Sequence, residues 1–331
     1  MSELRSILVE QVERLVADAG GVAVLRMVEA GEWPATLWAG LEQQGLNLAL
    51  VPEESGGVGL SWGDAAAIWL VLGRHGAPAP IAETMLAAAL LSAAGIEVPE
   101  GPLGLAQGAV PFGRHAARLV VPKGACVALH APGECVPAEN IGREPRDAVT
   151  AEDRIARGQL PNLFGPRAGL LGLALIRAAL IAGALERILA LAVDWANTRK
   201  QFGRAIGKFQ AVQQQLAAMA GEVAAVHVAV HQAARAVDAR GLAEASFEIG
   251  CAKIVAGEAA TMGAATVHQV FAAIGITEDH ELHHFTRRLW SWREEGGTER
   301  FWAAEIGRAA LTRGGASLWP DMTARDAQGV E

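Results

Sequence analysis

Apolar residues recur at steps of three and four along most of this chain, the period of helices that bury one face. Leu4, Ile7, Leu8, Val12, Leu15 and Val16 predict a first amphipathic helix behind a Ser2 cap. Pro34 sits where a helix start tolerates proline, and Trp38 and Leu41 follow at helical spacing before Gly45. Residues 64–74 predict the next helix, ended by Gly76 and then by Pro78 and Pro80. From about Val110 the pattern changes. Arg118-Leu119-Val120-Val121 and Cys126-Val127-Ala128-Leu129-His130 read as short strands separated by Pro122-Lys123-Gly124. Val136, Ile141 and Val149 are candidates for a third or fourth strand, and the charged stretch 143–154 reads as loop-rich, closing near Pro161 to Pro166.

The helical period returns at Arg167. Helices are expected to Thr198, from about Phe209 to Ala239, from about Leu242 to Ala273, from about His283 to Arg293, and from Glu299 to Thr312. The second of these carries Val212, Leu216, Met219, Val223, Val226, Val230, Ala233 and Val237 on one stripe. The polar tail beyond Gly314 is expected to be mobile. The fold class is therefore mainly α with a small β insert. It divides into an N-terminal helical domain (1–108), a small β-domain (109–165) and a C-terminal helical bundle (166–331).

Composition narrows the function classes. The chain has 331 residues, 51% hydrophobic and 19% charged, with a net charge of −8. An acidic, apolar chain without a basic patch argues against nucleic-acid binding, and its low charge favours burial of surface in an oligomer. Cys126, Cys135 and Cys251 form no C-x-x-C, which fits free thiols in a reducing compartment; a cytoplasmic location is expected. Ser2-Glu3-Leu4-Arg5 lacks a signal-peptide pattern. The apolar run Ala168 to Leu185 is interrupted by Arg177 and reads as a buried helix rather than a membrane span.

One connection between helices stands out: Arg199-Lys200-Gln201-Phe202-Gly203-Arg204-Ala205-Ile206-Gly207-Lys208-Phe209-Gln210. It offers a guanidinium, two amides and two aromatic faces at one rim of a bundle, a combination that suits an anion with an attached ring, such as a dinucleotide. The pattern R-x-Q-F-G-x-x-I-x-x-F-Q resembles the signature of the acyl-CoA dehydrogenases, flavoenzymes that desaturate acyl thioesters. The resemblance implies FAD, an acyl-CoA substrate and an electron-transferring flavoprotein as electron acceptor. It also implies that Arg199, Gln201, Phe202, Gly203, Ile206, Phe209 and Gln210 reach across a subunit interface to the neighbour's FAD. Residues 51–61, with Val51-Pro52-Glu53 and the Gly56-Gly57-Val58-Gly59 turn, resemble a further loop of that family.

A second segment, His268 to Thr277, resembles the family's Q-x-x-G-G-x-G, which serves the partner's FAD. Gln269 and Gly275 are retained, and Ala272-Ala273 replaces the glycine pair. The run Asp279 to His284 places His280 and His284 four residues apart, a chelating spacing on a helix, but it also resembles a charged segment of the family, and no metal is expected.

The family's chemistry needs a carboxylate that removes the α-proton while flavin takes a β-hydride. In a Y-E-G-T-like segment before the last helix the chain reads Trp292-Arg293-Glu294-Glu295-Gly296-Gly297-Thr298-Glu299. Glu295 is the candidate base, and Thr298 falls with the cofactor-binding set. Residues 294–299 also read as a helix start capped by Thr298. No carboxylate lies between Gly165 and Leu185, the family's other site for the base. The T-E-P-x-x-G-S-D-like flavin wall is missing, and the region from Gly101 to Pro166 is short for a full β-domain of that type. The resemblance is thus to the shorter subunit of heteromeric, steroid side-chain type bacterial acyl-CoA dehydrogenases. It implies a larger partner subunit that supplies the flavin wall and the base. Two other readings stay open: a self-sufficient homodimer using Glu295, and a structural protein of this fold without flavin.

Overall fold

The computed structural model describes residues 3–327. The first half is α1 (Glu3–Ala19), α2 (Val22–Glu29), α3 (Ala35–Gln43), α4 (Trp62–His75) and α5 (Ile81–Ala93). The expected Ser2 cap of α1 lies outside the described residues. Ser61 caps α4, its Oγ accepting from the Asp64 N–H at 3.1 Å, and Gly76 ends that helix in the left-handed region at φ 57°. α2 gave no sequence signal because it spans eight residues and buries only Leu25 and Val28. α5 is buried on nearly every side, so it has no polar face to alternate with.

A sheet follows, built from β1 (Leu103–Leu105), β2 (Val110–Pro111), β3 (Arg118–Lys123), β4 (Cys126–Val136) and β5 (Arg146–Gln159). The strand order is β1-β3-β4-β5-β2. β1 pairs with β3 in parallel and the other pairings are antiparallel. The two short strands read from sequence are β3 and β4, and Val149 lies in β5. The stretch expected to be loop-rich is in fact mostly β5, of 14 residues. From Ala148 onward β5 is half-buried or exposed along its length, so no apolar alternation marked it. Ile141 lies between strands, in the loop that leads into β5.

The second half is α6 (Ala168–Thr198), a hairpin of β6 (Lys200–Gln201) and β7 (Arg204–Ala205), α7 (Gln210–Glu244), α8 (Ser246–Phe271), α9 (Leu282–Glu294), α10 (Glu299–Arg313) and α11 (Gly315–Ala327). The expected mobile tail is therefore helical to residue 327, with Pro320 inside its span. α7 breaks locally at Gly241, whose φ is 83°. α6 is the central element: the apolar window that reads as a membrane candidate by composition is 94% buried within the protein. α4 crosses α6 at two glycines. A Cβ on Gly73 would lie 2.1 Å from the Leu180 carbonyl oxygen, and one on Gly183 would lie 1.9 Å from that of Leu70. No side chain fits at either point, and this contact locks the N-terminal helices onto the bundle.

Candidate functional site

α6 ends where the Arg199 N–H bonds the Trp195 carbonyl at 2.8 Å and the chain turns into β6. Lys200 pairs with Ala205 and Gln201 with Arg204, leaving Phe202 and Gly203 as a two-residue turn. Both have positive φ, 52° and 79°, the backbone of a type I′ hairpin turn. Glycine is favoured in such a turn; phenylalanine is not. Phe202 is nonetheless 91% exposed. Its ring meets Phe209 edge-on at 6.2 Å, and the Arg204 guanidinium lies 4.2 Å above the Phe209 ring. Arg199, Gln201, Gly203 and Gln210 are exposed, while Ile206 and Phe209 are half-buried.

The second sequence segment lies at the same end of the bundle. Trp195 stacks on Phe271, the last residue of α8, at 5.1 Å between ring centres, and Arg199 lies over Trp195 at 5.9 Å. Gln269, Ala272 and Ala273 are exposed. Ala272 has φ 53° and ψ −138°, a conformation that suits glycine, so the backbone keeps a glycine-type turn with alanine in it. Gly275 is buried, and a Cβ there would lie 2.7 Å from that of Phe271. Its smallness serves helix-end packing. Thr298 Oγ1 accepts from the Phe301 N–H at 3.2 Å, the N-cap of α10.

Glu295 lies elsewhere, in a cavity of about 640 Å³ between α5, the sheet, α6 and the loop after α9. Arg146 reaches it through Nε at 2.8 Å and a terminal nitrogen at 3.2 Å. Arg177 donates Nε to its other oxygen at 2.5 Å, and Asn140 donates at 3.2 Å. Burial pulls the Glu295 pKa up, but Arg146 and Arg177 beside it and the hydrogen bonds outweigh that and hold it at about 2. A base for a weakly acidic carbon needs the opposite shift. In this arrangement Glu295 anchors two arginines and its pKa is held low rather than raised.

The anchor is part of a longer chain of charges. Arg177, 1% exposed, also bonds Glu83 of α5 at 2.6 Å. Arg146 bonds Glu144 at 3.1 Å, and Glu144 accepts from the Trp292 indole at 2.9 Å. The fully buried Arg288 lies 3.6 Å from Glu144 and donates to Glu29 of α2 at 2.8 Å. Burial raises the Glu29 pKa, but the His284 and Arg288 contacts prevail and bring it to about 2. Lys253 Nζ donates to the Arg293 carbonyl at 2.6 Å and so pins the end of α9 just before Glu295. Burial lowers its pKa to about 8.

Sequence reasoning missed Glu83, Asn140 and Arg146, and took Arg177 only as an interruption. The signal was a lone charge inside an apolar run, since a charge buried in a core must be paired. The histidines at chelating spacing serve different partners. His280 packs on Phe271 at 4.6 Å, while His284 Nδ1 lies 2.8 Å from Glu29 Oε1. Glu29, His283 and His284 do converge, but Arg287 and Arg288 already hold that carboxylate.

With this geometry in place, the comparisons with known proteins fall into line. The acyl-CoA dehydrogenase N-terminal domain pattern matches residues 2–98, and the acyl-CoA dehydrogenase C-terminal domain pattern matches residues 170–311. Acyl-CoA dehydrogenase IpdE2 of Mycobacterium tuberculosis is 32% identical over 295 residues, covering 86% of this chain and 91% of the relative. The chain belongs to the acyl-CoA dehydrogenase family. Solved structures agree on the fold. The ChsE4–ChsE5 complex from Mycobacterium tuberculosis matches with a TM-score of 0.79 at 24% identity, over 93% of this chain and 97% of that one. The Tcur3481–Tcur3483 steroid ACAD matches with a TM-score of 0.83 at 24% identity, over 95% and 99%. Members of this family thus share the helix–sheet–bundle order found here.

Proposed function

We propose that this chain is the arm-donating subunit of a heteromeric acyl-CoA dehydrogenase, completing an FAD site held mainly by a larger partner. One observation carries the reading: an almost fully exposed Phe202 is held at the tip of a strained hairpin, beside Arg199, Gln201 and Gln210. A monomer gains nothing from exposing that ring, whereas an interface covers it. The donor set fits a dinucleotide: a guanidinium and two amides for phosphates, an aromatic face, and a glycine-type backbone at Ala272 on the same bundle end. Two relatives of the same fold carry paired subunit names, ChsE4–ChsE5 and Tcur3481–Tcur3483, and the latter is described as a steroid enzyme. A steroid or other acyl-CoA thioester is accordingly the substrate class, and an electron-transferring flavoprotein the electron acceptor.

Bound FAD supplies hydride acceptance. This chain's residues would do less: Arg199 neutralises pyrophosphate charge, Gln201 and Gln210 orient it, and Phe202 packs on the cofactor and excludes water. The base comes from the partner, because Glu295 is committed to Arg146 and Arg177. Flavin absorbance near 450 nm tests the reading. The chain purified alone is expected to be colourless and to gain flavin on co-expression with its partner subunit; Arg199→Glu is expected to abolish flavin retention by the complex. Stoichiometric flavin and acyl-CoA turnover by the chain alone would overturn it.

A further inference from the structure

We infer that the α6–α7 connection makes a second contact besides its cofactor donors: Lys200 and Lys208 dock on carboxylates of the larger subunit, whose receiving face is acidic. The inference rests on the reading of this chain as the arm-donating subunit. In a chain of net charge −8, residues 195–221 hold four cations, Arg199, Lys200, Arg204 and Lys208, and no Asp or Glu. The whole sequence has four lysines, Lys123, Lys200, Lys208 and Lys253, so two of them sit on this one connection. All four cations of the connection are exposed. Arg199 and Arg204 lie over the rings of Trp195 and Phe209, and none of the four meets a carboxylate among the described residues.

Geometry and charge divide the four. Residues paired across a hairpin share a face, and successive residues alternate between faces. Gln201 and Arg204 are therefore on one face, and Lys200 is on the other with Ala205. Arg199, two positions before Gln201, falls on the Gln201 face. A pyrophosphate held there carries two negative charges, which Arg199 and Arg204 match. Lys200 is left on the opposite face. Lys208 lies beyond the hairpin, at the end of the 3-10 turn Ile206–Lys208 that leads into α7. An interface that covers Phe202 also covers its neighbours, and a lysine covered without an anion is costly. Its compact ammonium pairs readily with a single carboxylate. Acidic side chains on the larger subunit complete both lysines. Because the rest of this chain is acidic, the same charges orient its approach to that face.

Zero-length carbodiimide coupling joins a lysine amine only to a carboxylate in contact with it, and so tests the pairing on the co-expressed complex. Mass spectrometry is expected to find Lys200 or Lys208 joined to Asp or Glu of the larger subunit. Dissociation of the same complex on dilution, followed by mass photometry, gives a second readout. Its dissociation constant is expected to rise about tenfold from about 0.05 to about 0.5 M salt. Lys200→Gln with Lys208→Gln is expected to remove most of that salt dependence. Flavin per assembled complex and circular dichroism are expected to stay unchanged in this variant. Lys123→Gln, at an exposed lysine of β3, is expected to leave the salt dependence as it is. Both lysines coupling only within this chain or not at all, assembly without salt dependence, or an equal effect of Lys123→Gln would each overturn the inference. So would flavin lost from double-variant complexes that still assemble, which would return the lysines to the cofactor. Flavin in the wild-type and Arg199→Glu complexes reads the arm separately, so either reading can fail without the other.

Discussion

Of the four non-glycine residues with positive φ among the described residues, Phe112, Arg143, Phe202 and Ala272, the last two are exposed at the proposed interface. Ala272 holds φ 53° and ψ −138°, and Phe202 holds φ 52°. Strain of this kind costs on the order of 1–3 kcal/mol per residue and persists where the surroundings or the function require it. Ala272→Gly relieves the clash but adds chain entropy to the unfolded state, so a net gain of about 0.5–1 kcal/mol is expected in urea unfolding of the isolated chain. Phe202→Asn places a residue that type I′ turns favour and removes an exposed ring. It is expected to leave the isolated chain as stable or about 0.5 kcal/mol more stable, while weakening assembly with the partner subunit, measured by size-exclusion chromatography. A Phe202→Asn chain that assembles and retains flavin like the wild type would remove the aromatic anchor from the argument.

At the scale of elements, the loop after α9 is fixed from three directions: by Arg146 from β5, by Arg177 from α6, and by Lys253 from α8 through the Arg293 carbonyl. Glu295→Gln leaves two buried guanidiniums without their shared anion, and breaking a buried pair on one side costs about 3–5 kcal/mol. The expected result is a large drop in melting temperature, with turnover per bound flavin in the partner complex unchanged. If turnover per flavin instead collapses while stability holds, Glu295 is a base after all. Sequence carried the long helices because their apolar stripes repeat over many turns: the stripe from Val212 to Val237 is the buried face of α7 for most of its length. It also carried the arm, whose residue types are chemically distinctive. It did not carry β5, which is largely exposed, or the pairing of Glu83 with Arg177, which lie 94 positions apart. Contacts of that kind depend on how α5 is laid against α6, and no local period encodes that.

At the scale of the whole molecule, the buried charges form one connected chain. Glu29 in α2 meets Arg288 in α9; Arg288 approaches Glu144; Glu144 meets Arg146 in β5; and Arg146 shares Glu295 with Arg177 of α6, which ends on Glu83 of α5. The N-terminal helices, the sheet and the bundle are therefore joined by the same network. Glu29 and Glu295 both titrate near 2 in the folded protein, below their ordinary 4.5. A carboxylate whose pKa is depressed by folding contributes stability that is complete above its unfolded pKa and is lost as pH falls towards its folded one. The window of loss is thus from about pH 4.5 down to about pH 2, each of the two carboxylates removing up to about 1.4 kcal/mol per pH unit within it. Because protonation loosens all three parts together, acid unfolding is expected to be a single transition. Far-UV circular dichroism and tryptophan emission should give the same midpoint, since Trp38 and Trp69 report the N-terminal helices and Trp292 and Trp302 the bundle. Two separated midpoints would mean that the parts unfold independently and that the charge chain does not couple them.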